Sequence, residues 1–392
     1  MSECGVKEFK LRELLKIYNG TKYDHLNKGD IPLYGSGGLM SHVNEALYSG
    51  EAILLPRKGT LSNIMYVNES FWTVDTMYYA VVNDKLADAF YLYSYLSQLD
   101  LSNLDSGSTL PSMTKSAYES IVVKLPDLKI QKAVATVLFN IRKKLEINNQ
   151  INQELEAMAK TLYDYWFVQF DFPDENGKPY KSSGGKMVYN DQLKREIPEG
   201  WGVEKIENIA QTGSGGTPKS TNVSYYSNGE IPWINSGELE QMVITSTSNF
   251  ITEEGLNNSS AKLFPSGTIL VAMYGATAGK VSFLTFEAST NQAICAIMLT
   301  DIRMRYYLKN VIEDLYQYLV KLSTGSARDN LSQDMIKNIK VVIPSNDILD
   351  RFYDFSNNVI KEITKKQQEN EQLTQLRDWL LPMLMNGQVK VE

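Results

Sequence analysis

Two long stretches of helical periodicity stand out in the pattern of apolar and polar positions. The first runs from Asp127 to about Phe170, with apolar residues at alternating spacings of four and three, interrupted by Asn148 and Asn152. At 1.5 Å per residue, its roughly 40 residues predict a helix of about 60 Å. The apolar positions are Val134, Leu138, Ile141, Leu145, Leu155, Ala159, Leu162 and Trp166.

The second stretch runs from Ser345 to about Asn386, with polar Lys366 and Asn370 near its middle. Both stretches are too long for ordinary globular helices, although packing on their own domains is an alternative. Two such helices with polar midpoints favour pairing as an antiparallel coiled coil, whose register the polar residues would fix. The second apolar stripe consists of Phe352, Phe355, Val359, Ile363, Leu373, Leu376 and Leu380.

The segments before these helices repeat one plan. Similar short motifs recur in the same order, with differences in spacing that loops can absorb. We therefore predict an internal duplication with pseudo-twofold symmetry. The correspondences are 31–37 with 231–237, Gly59 with Gly275, Thr76 with Gln292, 106–108 with 324–326, and Pro126 with Pro344.

Each repeated segment mixes short β-rich runs with one helical stretch, near 87–99 and 302–322, which is typical of an α+β fold. Turn-forming residues separate the first long helix from the second repeat. The predicted layout is a first globular domain at 1–126, a central helix at 127–170, a connector at 171–200, a second globular domain at 201–344, and a final helix at 345–392.

Composition narrows the functional classes. The 392 residues include 39 basic and 46 acidic side chains, a net charge of −7, which disfavours nucleic-acid binding by bulk positive charge. The four parts 1–126, 127–200, 201–344 and 345–392 carry −3, 0, −2 and −2. Two cysteines, no apolar run of 18 residues and no signal-peptide core together favour a cytoplasmic protein without a membrane span.

No catalytic or metal site emerges from the motifs. The Gly275–Lys280 segment has three residues between its glycines instead of four and lacks the following Ser or Thr of a phosphate loop, so we expect a tight turn between strands. His25 and His42 have no Cys or acidic neighbours at ligand spacing. No Pro-Pro pair is present, which excludes the Asn-Pro-Pro-aromatic site of amino-methyltransferases.

Glycine-rich turns of both repeats carry hydrogen-bonding side chains of the types that read base edges and contact phosphates. Taken singly, each is better explained as a polar loop residue, and recurrence in both repeats is what favours DNA binding. In the first repeat they are Thr21, Lys22, Tyr34, Ser36, His42, Arg57, Lys58, Thr60, Ser62 and Asn63. In the second they are Thr217, Lys219, Tyr225, Asn235, Ser236, Tyr274, Thr277, Lys280, Asn291, Gln292, Arg328 and Asn330.

Several motifs make the chain resemble the specificity subunits of type I restriction-modification systems. The resemblance covers essentially the whole chain. The first repeat departs from it, because it has Tyr-Asn-Gly-Thr-Lys at 18–22 in place of Gly-Gly-Thr-Pro. The motifs are Ile-Pro-Glu-Gly-Trp at 197–201, Gly-Gly-Thr-Pro at 215–218, Ile-Pro-Trp-Ile at 231–234, Tyr-Gly-Ala-Thr at 274–277 with Gly279-Lys280, the segment 161–168, and Leu-Pro-Met-Leu-Met-Asn-Gly at 381–387.

The resemblance implies a non-catalytic subunit that recognises a two-part target in double-stranded DNA. It would bind two methyltransferase subunits, which modify adenine with S-adenosylmethionine, and ATP- and Mg-dependent restriction subunits, with no cofactor in this chain. The helix pair would then act as a ruler that sets the unread spacer between half-sites about one DNA turn apart.

Two further expectations concern partners. Because no part of the chain is basic, DNA binding by this chain alone should be weak and partner subunits should supply the positive channel. An apolar stripe that includes Trp166, Phe167 and Trp379 is a candidate dock for those subunits, with core packing as the alternative. The rival function is a coiled-coil scaffold or adaptor whose globular domains bind protein.

Overall fold

The computed structural model describes residues 6–101, 111–275, 277–322 and 331–385. Contacts between residues divide the chain into two units. Unit 1 consists of Met1–Glu146 with Gln372–Glu392, and unit 2 consists of Ile147–Glu371. Each unit therefore contains one predicted repeat together with part of each long helix.

Unit 1 is built on a six-stranded sheet in the order β2-β7-β5-β6-β3-β4, with β1 paired to β8 apart from it. Its strands are β1 Lys7–Lys10, β2 Leu15–Asn19, β3 Lys28–Gly35, β4 Gly38–Val43, β5 Tyr48–Pro56, β6 Met65–Thr73, β7 Met77–Val82 and β8 Val122–Leu125. Short helices α1 Leu11–Leu14, α2 Ala89–Leu96 and α3 Lys115–Ser120 accompany them.

Unit 2 carries a five-stranded sheet, β12-β20-β17-β18-β14, and a four-stranded sheet, β15-β13-β19-β16, with β11 paired to β21 and β9 to β10. The strands are β9 Met187–Asn190, β10 Arg195–Pro198, β11 Gly202–Lys205, β12 Ala210–Ser214, β13 Ile231–Ile234, β14 Val243–Ile244, β15 Phe250–Ile251, β16 Leu263–Phe264, β17 Ile269–Ala272, β18 Val281–Leu284, β19 Ala288–Thr290, β20 Ile294–Leu299 and β21 Lys340–Ile343. Its short helices are α5 Ile206–Ile209, α6 Glu253–Asn257, α7 Arg305–Leu322 and α8 Gln333–Asn338.

The two long helices are α4, Leu128–Tyr163, which continues as a π-helical turn at Asp164–Val168, and α9, Asn346–Met385. Both continue across the division between the units at Glu146 and Glu371. Among the described residues, no helix is both long enough and apolar enough to cross a membrane.

The strand pairing confirms the duplication. In unit 1, β2 pairs antiparallel with β7, β7 with β5, and β5 with β6, while β3 runs parallel to β6. In unit 2 the same relations join β12 to β20, β20 to β17, β17 to β18, and β13 to β19. The α+β class with two similar domains is therefore correct.

Within unit 2 the long helices pair in opposite directions. The Asn148 amide donates to Asn370 Oδ1 at 2.9 Å, and the Phe167 and Phe352 ring centroids are 4.7 Å apart. Residue numbers thus rise along one helix as they fall along the other, as predicted for an antiparallel pair. In unit 1, Val134 and Leu138 of α4 share a buried cluster with Leu381 and Leu384 of α9.

Three of the four predicted polar midpoints, Asn148, Asn152 and Asn370, are buried, whereas Lys366 is half-buried. Asn148 is completely buried and Asn370 is 8% exposed, and the Asn370 amide donates in turn to Asn149 Oδ1 at 2.8 Å. Asn148 also donates to Glu369 at 3.0 Å. A shift of one helix along the other would bury these amides against apolar neighbours, so the bonds stabilise a single register.

Replacing one asparagine of this network should lower the free energy of unfolding more than replacing both. We expect Asn148→Leu to lower the free energy of unfolding by about 1–3 kcal/mol, because Asn370 Oδ1 loses its donor while remaining buried. Asn148→Leu combined with Asn370→Leu should recover part of that loss. Urea unfolding of the full chain measures both variants. Gln150→Leu, on the exposed face of the same turn, is the control, and a single variant as stable as the control would contradict the prediction.

Candidate nucleic-acid interface

The turns of unit 1 that carry candidate residues meet at the ends of β3 and β6. The Asn63 side-chain amide donates to the Ser36 carbonyl at 2.9 Å, which ties the β5–β6 loop to the β3–β4 turn. Gly59 lies at the same junction, since a Cβ on it would lie 3.0 Å from the Ser36 hydroxyl. Thr60 and Ser62 lie on this loop with exposed side chains. The structure therefore brings four of the predicted residues together, namely Ser36, Thr60, Ser62 and Asn63.

Arg57 and Lys58 begin the same loop. The Arg57 backbone N–H donates to the Thr76 carbonyl at 2.8 Å, and its guanidinium donates to the Asp75 carbonyl at 3.3 Å. Lys58 forms an isolated bridge with Ser112, and its side chain is exposed. Both cations thus lie next to the β6–β7 turn.

The remaining candidates of unit 1 differ in the exposure and hydrogen bonding of their side chains. Thr21 and Lys22 are exposed on the loop that follows β2. Tyr34 is half-buried and its hydroxyl donates to Glu69 at 2.9 Å, and burial together with this bond raises the pKa of the phenol to about 12. His42 is exposed on the edge strand β4, where it lines an open groove of about 720 Å³ together with Tyr23 and Lys28.

Unit 2 joins its candidates through hydrogen bonds. The Thr217 hydroxyl is bonded to the Gln292 side chain, and the Asn291 amide donates to Asn235 Oδ1 at 3.3 Å. The Thr277 hydroxyl donates to the Ser236 carbonyl at 2.8 Å. Because Thr277 is also buried, its side chain holds the turn in place instead of facing outward.

The segment around Lys280 connects two strands, as predicted, but it spans the eight residues 273–280 and is therefore not a tight turn. Gly275 and Gly279 adopt φ angles of +90° and +77°, which only glycine accommodates readily, and they connect the antiparallel strands β17 and β18. Lys280 is exposed, whereas Tyr274 is half-buried and packs against the core. Nearby Glu156 is half-buried, and desolvation raises the pKa of its carboxyl although Lys309 opposes the shift.

Lys219 is exposed and Tyr225 is half-buried, and the Tyr225 carbonyl accepts a bond from Thr252 N–H at 2.9 Å. Arg328 and Asn330 lie outside the described residues. Among the described residues, no group of three or more His, Cys, Asp or Glu side chains is arranged to hold a metal ion.

Two sequence-based assignments need correction. Trp166 and Phe167 do not belong to an exposed stripe, because they are 8% and 4% exposed and pack on Phe352 in the core of unit 2. Trp379 is 58% exposed, in unit 1. The alternative of core packing is therefore correct for the first two residues.

The second correction concerns the alignment of the repeats. Arg57 N–H bonds the Thr76 carbonyl in unit 1, and the corresponding Met273 N–H bonds the carbonyl of Ala293 in unit 2. Ala293, and not Gln292, is therefore the structural counterpart of Thr76. One additional residue in the strand connection of unit 2 moves the correspondence by one position.

The loops after β2 and β12 leave their strands in the same way. Thr21 N–H donates to the Thr73 carbonyl at 2.9 Å, and Gly216 N–H donates to the Thr290 carbonyl at 2.9 Å. Thr73 and Thr290 occupy the same register in the parallel pairs, opposite Tyr34 and Ile234. The two loops thus have a common anchor at their first turn.

Sequence analysis missed two tryptophans at this anchor. Trp72 Nε1–H donates to the Thr21 carbonyl at 3.0 Å, and Trp233 Nε1–H donates to the Gly216 carbonyl at 3.0 Å. Both residues are apolar members of strands, so a search restricted to polar loop residues passes over them. The appearance of Trp233 where the first repeat has Leu33 is the signal that could have found one of them.

Comparisons with known proteins agree with this architecture. Residues 3–157 and 198–375 match the family model described as the type I restriction modification DNA specificity domain. The chain is 27% identical over 297 residues to the type I restriction enzyme MjaIX specificity subunit of Methanocaldococcus jannaschii, covering 74% of this chain and 66% of that protein. It is 27% identical over 331 residues to the HindI specificity subunit of Haemophilus influenzae, covering 72% of each. A type I restriction-modification S subunit from M. genitalium has the same fold, with a TM-score of 0.66, 14% identity and coverage of 98% of this chain and 97% of that chain.

The glycines that precede the anchors should tolerate no side chain. A Cβ on Gly20 would lie 2.0 Å from the Val74 carbonyl oxygen, and one on Gly215 would lie 2.0 Å from the Thr290 carbonyl oxygen. We expect Gly20→Ala and Gly215→Ala each to lower the free energy of unfolding by about 1–3 kcal/mol through overpacking.

Gly37 and Gly237 are matched controls, since a Cβ on either would meet nothing within 4 Å. Gly37→Ala and Gly237→Ala should leave the urea midpoint nearly unchanged. Equal midpoints for all four variants would show that the close approach at the anchor is not constraining.

Proposed function

The chain belongs to the type I restriction modification DNA specificity family, and we propose that it reads a two-part DNA target, with one half-site for each unit. As a specificity subunit it supplies target recognition, and methylation and cleavage belong to other subunits. The observation that carries the proposal is the repeated loop anchor. The two units share a backbone arrangement at Thr21 and Gly216 but present different side chains beyond it.

This combination suits a reader of two different half-sites. Base recognition depends on donors and acceptors placed within hydrogen-bonding distance of base edges, so the backbone that carries them must be held in one position. Unit 1 offers Lys22 on its loop, whereas unit 2 offers Thr217, bonded to Gln292. A common frame with different side chains gives the two units different sequence preferences.

The remaining contacts to DNA would come from partner subunits. The net charge of −7 leaves little positive surface to neutralise phosphates, which dominate the affinity of proteins for DNA. We infer that two methyltransferase subunits, which use S-adenosylmethionine to modify adenine, complete the positive channel, and that ATP- and Mg-dependent restriction subunits join the same assembly.

The apolar surface of α9 in unit 1 supports a protein contact there. Trp379 and Leu376 are 58% and 42% exposed and lie three residues apart, on one face of the helix. Exposed tryptophan is typical of residues that dominate protein interfaces. We propose this face as part of the dock for a methyltransferase subunit.

An adaptor that binds only proteins is the second candidate. The exposed Trp379 and the long helix pair would suit it equally well. The duplicated loop anchor favours DNA recognition, because an adaptor does not require two matched frames with different polar side chains. Substitutions in the loops distinguish the two functions. DNA binding by the assembled complex should be lost if the chain reads DNA and should be kept if the chain is an adaptor.

Deleting the gene should remove one methylated two-part motif from the host genome. Methylation sequencing of the host, of the deletion strain and of the deletion strain carrying the gene on a plasmid measures this directly. The motif should disappear in the second strain and return in the third. Unchanged methylation in the deletion strain would contradict the proposed function.

The helix pair should determine the length of the unread spacer. We expect removal of both Lys143–Glu146 and Gln372–Gln375 to shorten the preferred spacer by about two base pairs, since four residues span about 6 Å of helix and one base pair about 3.4 Å. The half-site sequences should stay the same. Positions 143–146 face 372–375 when the pairing of Asn148 with Asn370 is extended along the helices.

Removal of only one of the two segments is the control, because the asparagine pair in unit 2 and the apolar contacts of the helices in unit 1 can then no longer form in one register, which should abolish methylation. Methylation sequencing in the deletion strain measures all three variants. A changed half-site sequence with an unchanged spacer would show that the helix pair is not a ruler.

A further inference from the structure

Each unit holds the first turn of one loop between two backbone hydrogen bonds. The residue at this turn, Thr21 or Gly216, donates its N–H to the carbonyl of Thr73 or Thr290 at 2.9 Å. Its own carbonyl accepts an indole N–H at 3.0 Å, from Trp72 in unit 1 and from Trp233 in unit 2. Both polar groups of one peptide position are therefore fixed to the sheet.

The two tryptophans are not equivalent in sequence. Trp72 lies on β6, opposite Leu33 of β3, whereas Trp233 lies on β13, the counterpart of β3, opposite Ser289. The indole has thus moved to the other strand of the parallel pair while its bond to the loop is the same. A buried indole N–H needs an acceptor, but core packing does not require that acceptor to be the equivalent loop carbonyl in both units.

Each indole also contacts an aromatic residue beyond the anchor. The His25 ring lies edge-on to Trp72 at a centroid distance of 5.5 Å. The Tyr226 ring lies edge-on to Trp233 at 6.0 Å, and the Tyr226 hydroxyl donates to the Pro218 carbonyl at 2.5 Å. The tryptophan therefore supports its loop at the first turn and again further along the chain.

The anchor leaves the side chains beyond it free to differ. The loop has Lys-Tyr-Asp-His at 22–25 in unit 1 and Thr-Pro-Lys-Ser at 217–220 in unit 2. Lys22 and Lys219 are exposed, as are Thr217 and His25. A fixed backbone with variable exposed polar groups is what sequence reading requires.

From these contacts we infer that Trp72 and Trp233 are positioning residues for DNA recognition, each holding the loop with which its own unit reads one half-site. The inference rests on the proposed function, and it adds which loops are read and what holds them. Neither indole needs to touch DNA. Each acts through the backbone of the loop, so its loss relaxes the choice of bases at one half-site only.

Trp72→Phe and Trp233→Phe test the inference, because phenylalanine keeps an aromatic ring and removes the N–H. The complex of the full chain with its methyltransferase subunits is assayed by competition binding against three duplexes. One duplex carries the target found by methylation sequencing, and the other two each carry a base change in one half-site. The ratio of affinities for intact and changed duplex gives the discrimination at each half-site.

We expect Trp72→Phe to lower discrimination by about threefold to tenfold at the half-site read by unit 1 and to leave the other ratio unchanged, which is the effect of losing one hydrogen bond. Trp233→Phe should do the reverse, so the two variants control each other. Partial unfolding reduces the active fraction but not the ratio, which separates positioning from general stability. Tyr226→Phe, which removes the bond to Pro218 only, provides a milder second variant in unit 2.

Trp201→Phe is a further control, since Trp201 stacks on Phe172 at 4.8 Å in the core of unit 2. It should lower the unfolding midpoint and leave both ratios unchanged. Unchanged ratios in Trp72→Phe and Trp233→Phe, or equal losses at both half-sites in each, would overturn the inference. Absence of discrimination by the wild-type complex would instead refute the proposed function.

Discussion

The antiparallel pairing of first and last strands closes each repeat, and the arrangement of the long helices depends on it. In unit 1, β1 pairs with β8, and in unit 2, β11 pairs with β21. Each closing strand is followed by a long helix after the same short connection, from Leu125 to Leu128 and from Ile343 to Asn346. Because the connection has the same length in both repeats, each helix leaves its repeat from an equivalent position.

Apolar packing alone specifies the register of the two helices only weakly. Leucine and isoleucine side chains pack nearly as well after a shift along the pair, whereas a buried amide does not. Asn148 and Asn370 specify the register within unit 2, since each side-chain amide donates to an asparagine of the other helix. The polar interruption that weakens the apolar seam is thus the feature that makes the pairing specific.

Periodicity and self-comparison predicted the long helices, their antiparallel pairing and the duplication, because each of these extends over many residues. The failures were local. Trp166 follows the helical spacing of the stripe, but spacing does not tell whether a residue faces the partner helix, the globular core or solvent, and here the core of unit 2 covers it. Leu376 shows the opposite case. It has the spacing of a buried position, yet it is 42% exposed, because spacing alone does not tell which face of the helix is covered.

The candidate interface was harder to predict because its supports are not polar residues. A list of polar side chains on turns found Ser36, Asn63, Thr217 and Asn235, which the structure joins into networks. It assigned Thr277 to the surface, although that hydroxyl donates to the Ser236 carbonyl and the residue is buried. The backbone anchors depend on register between strands far apart in sequence, which no local pattern contains.

The different placement of the indole in the two repeats has a consequence for how such repeats are compared. An alignment of the two repeats, column by column, sets Leu33 against Trp233 and Trp72 against Ser289, and scores both columns as unrelated. The hydrogen bond to the loop is nevertheless the same in both. The two repeats therefore share a bond that is made by residues on different strands, and a comparison of single positions underestimates how similar they are.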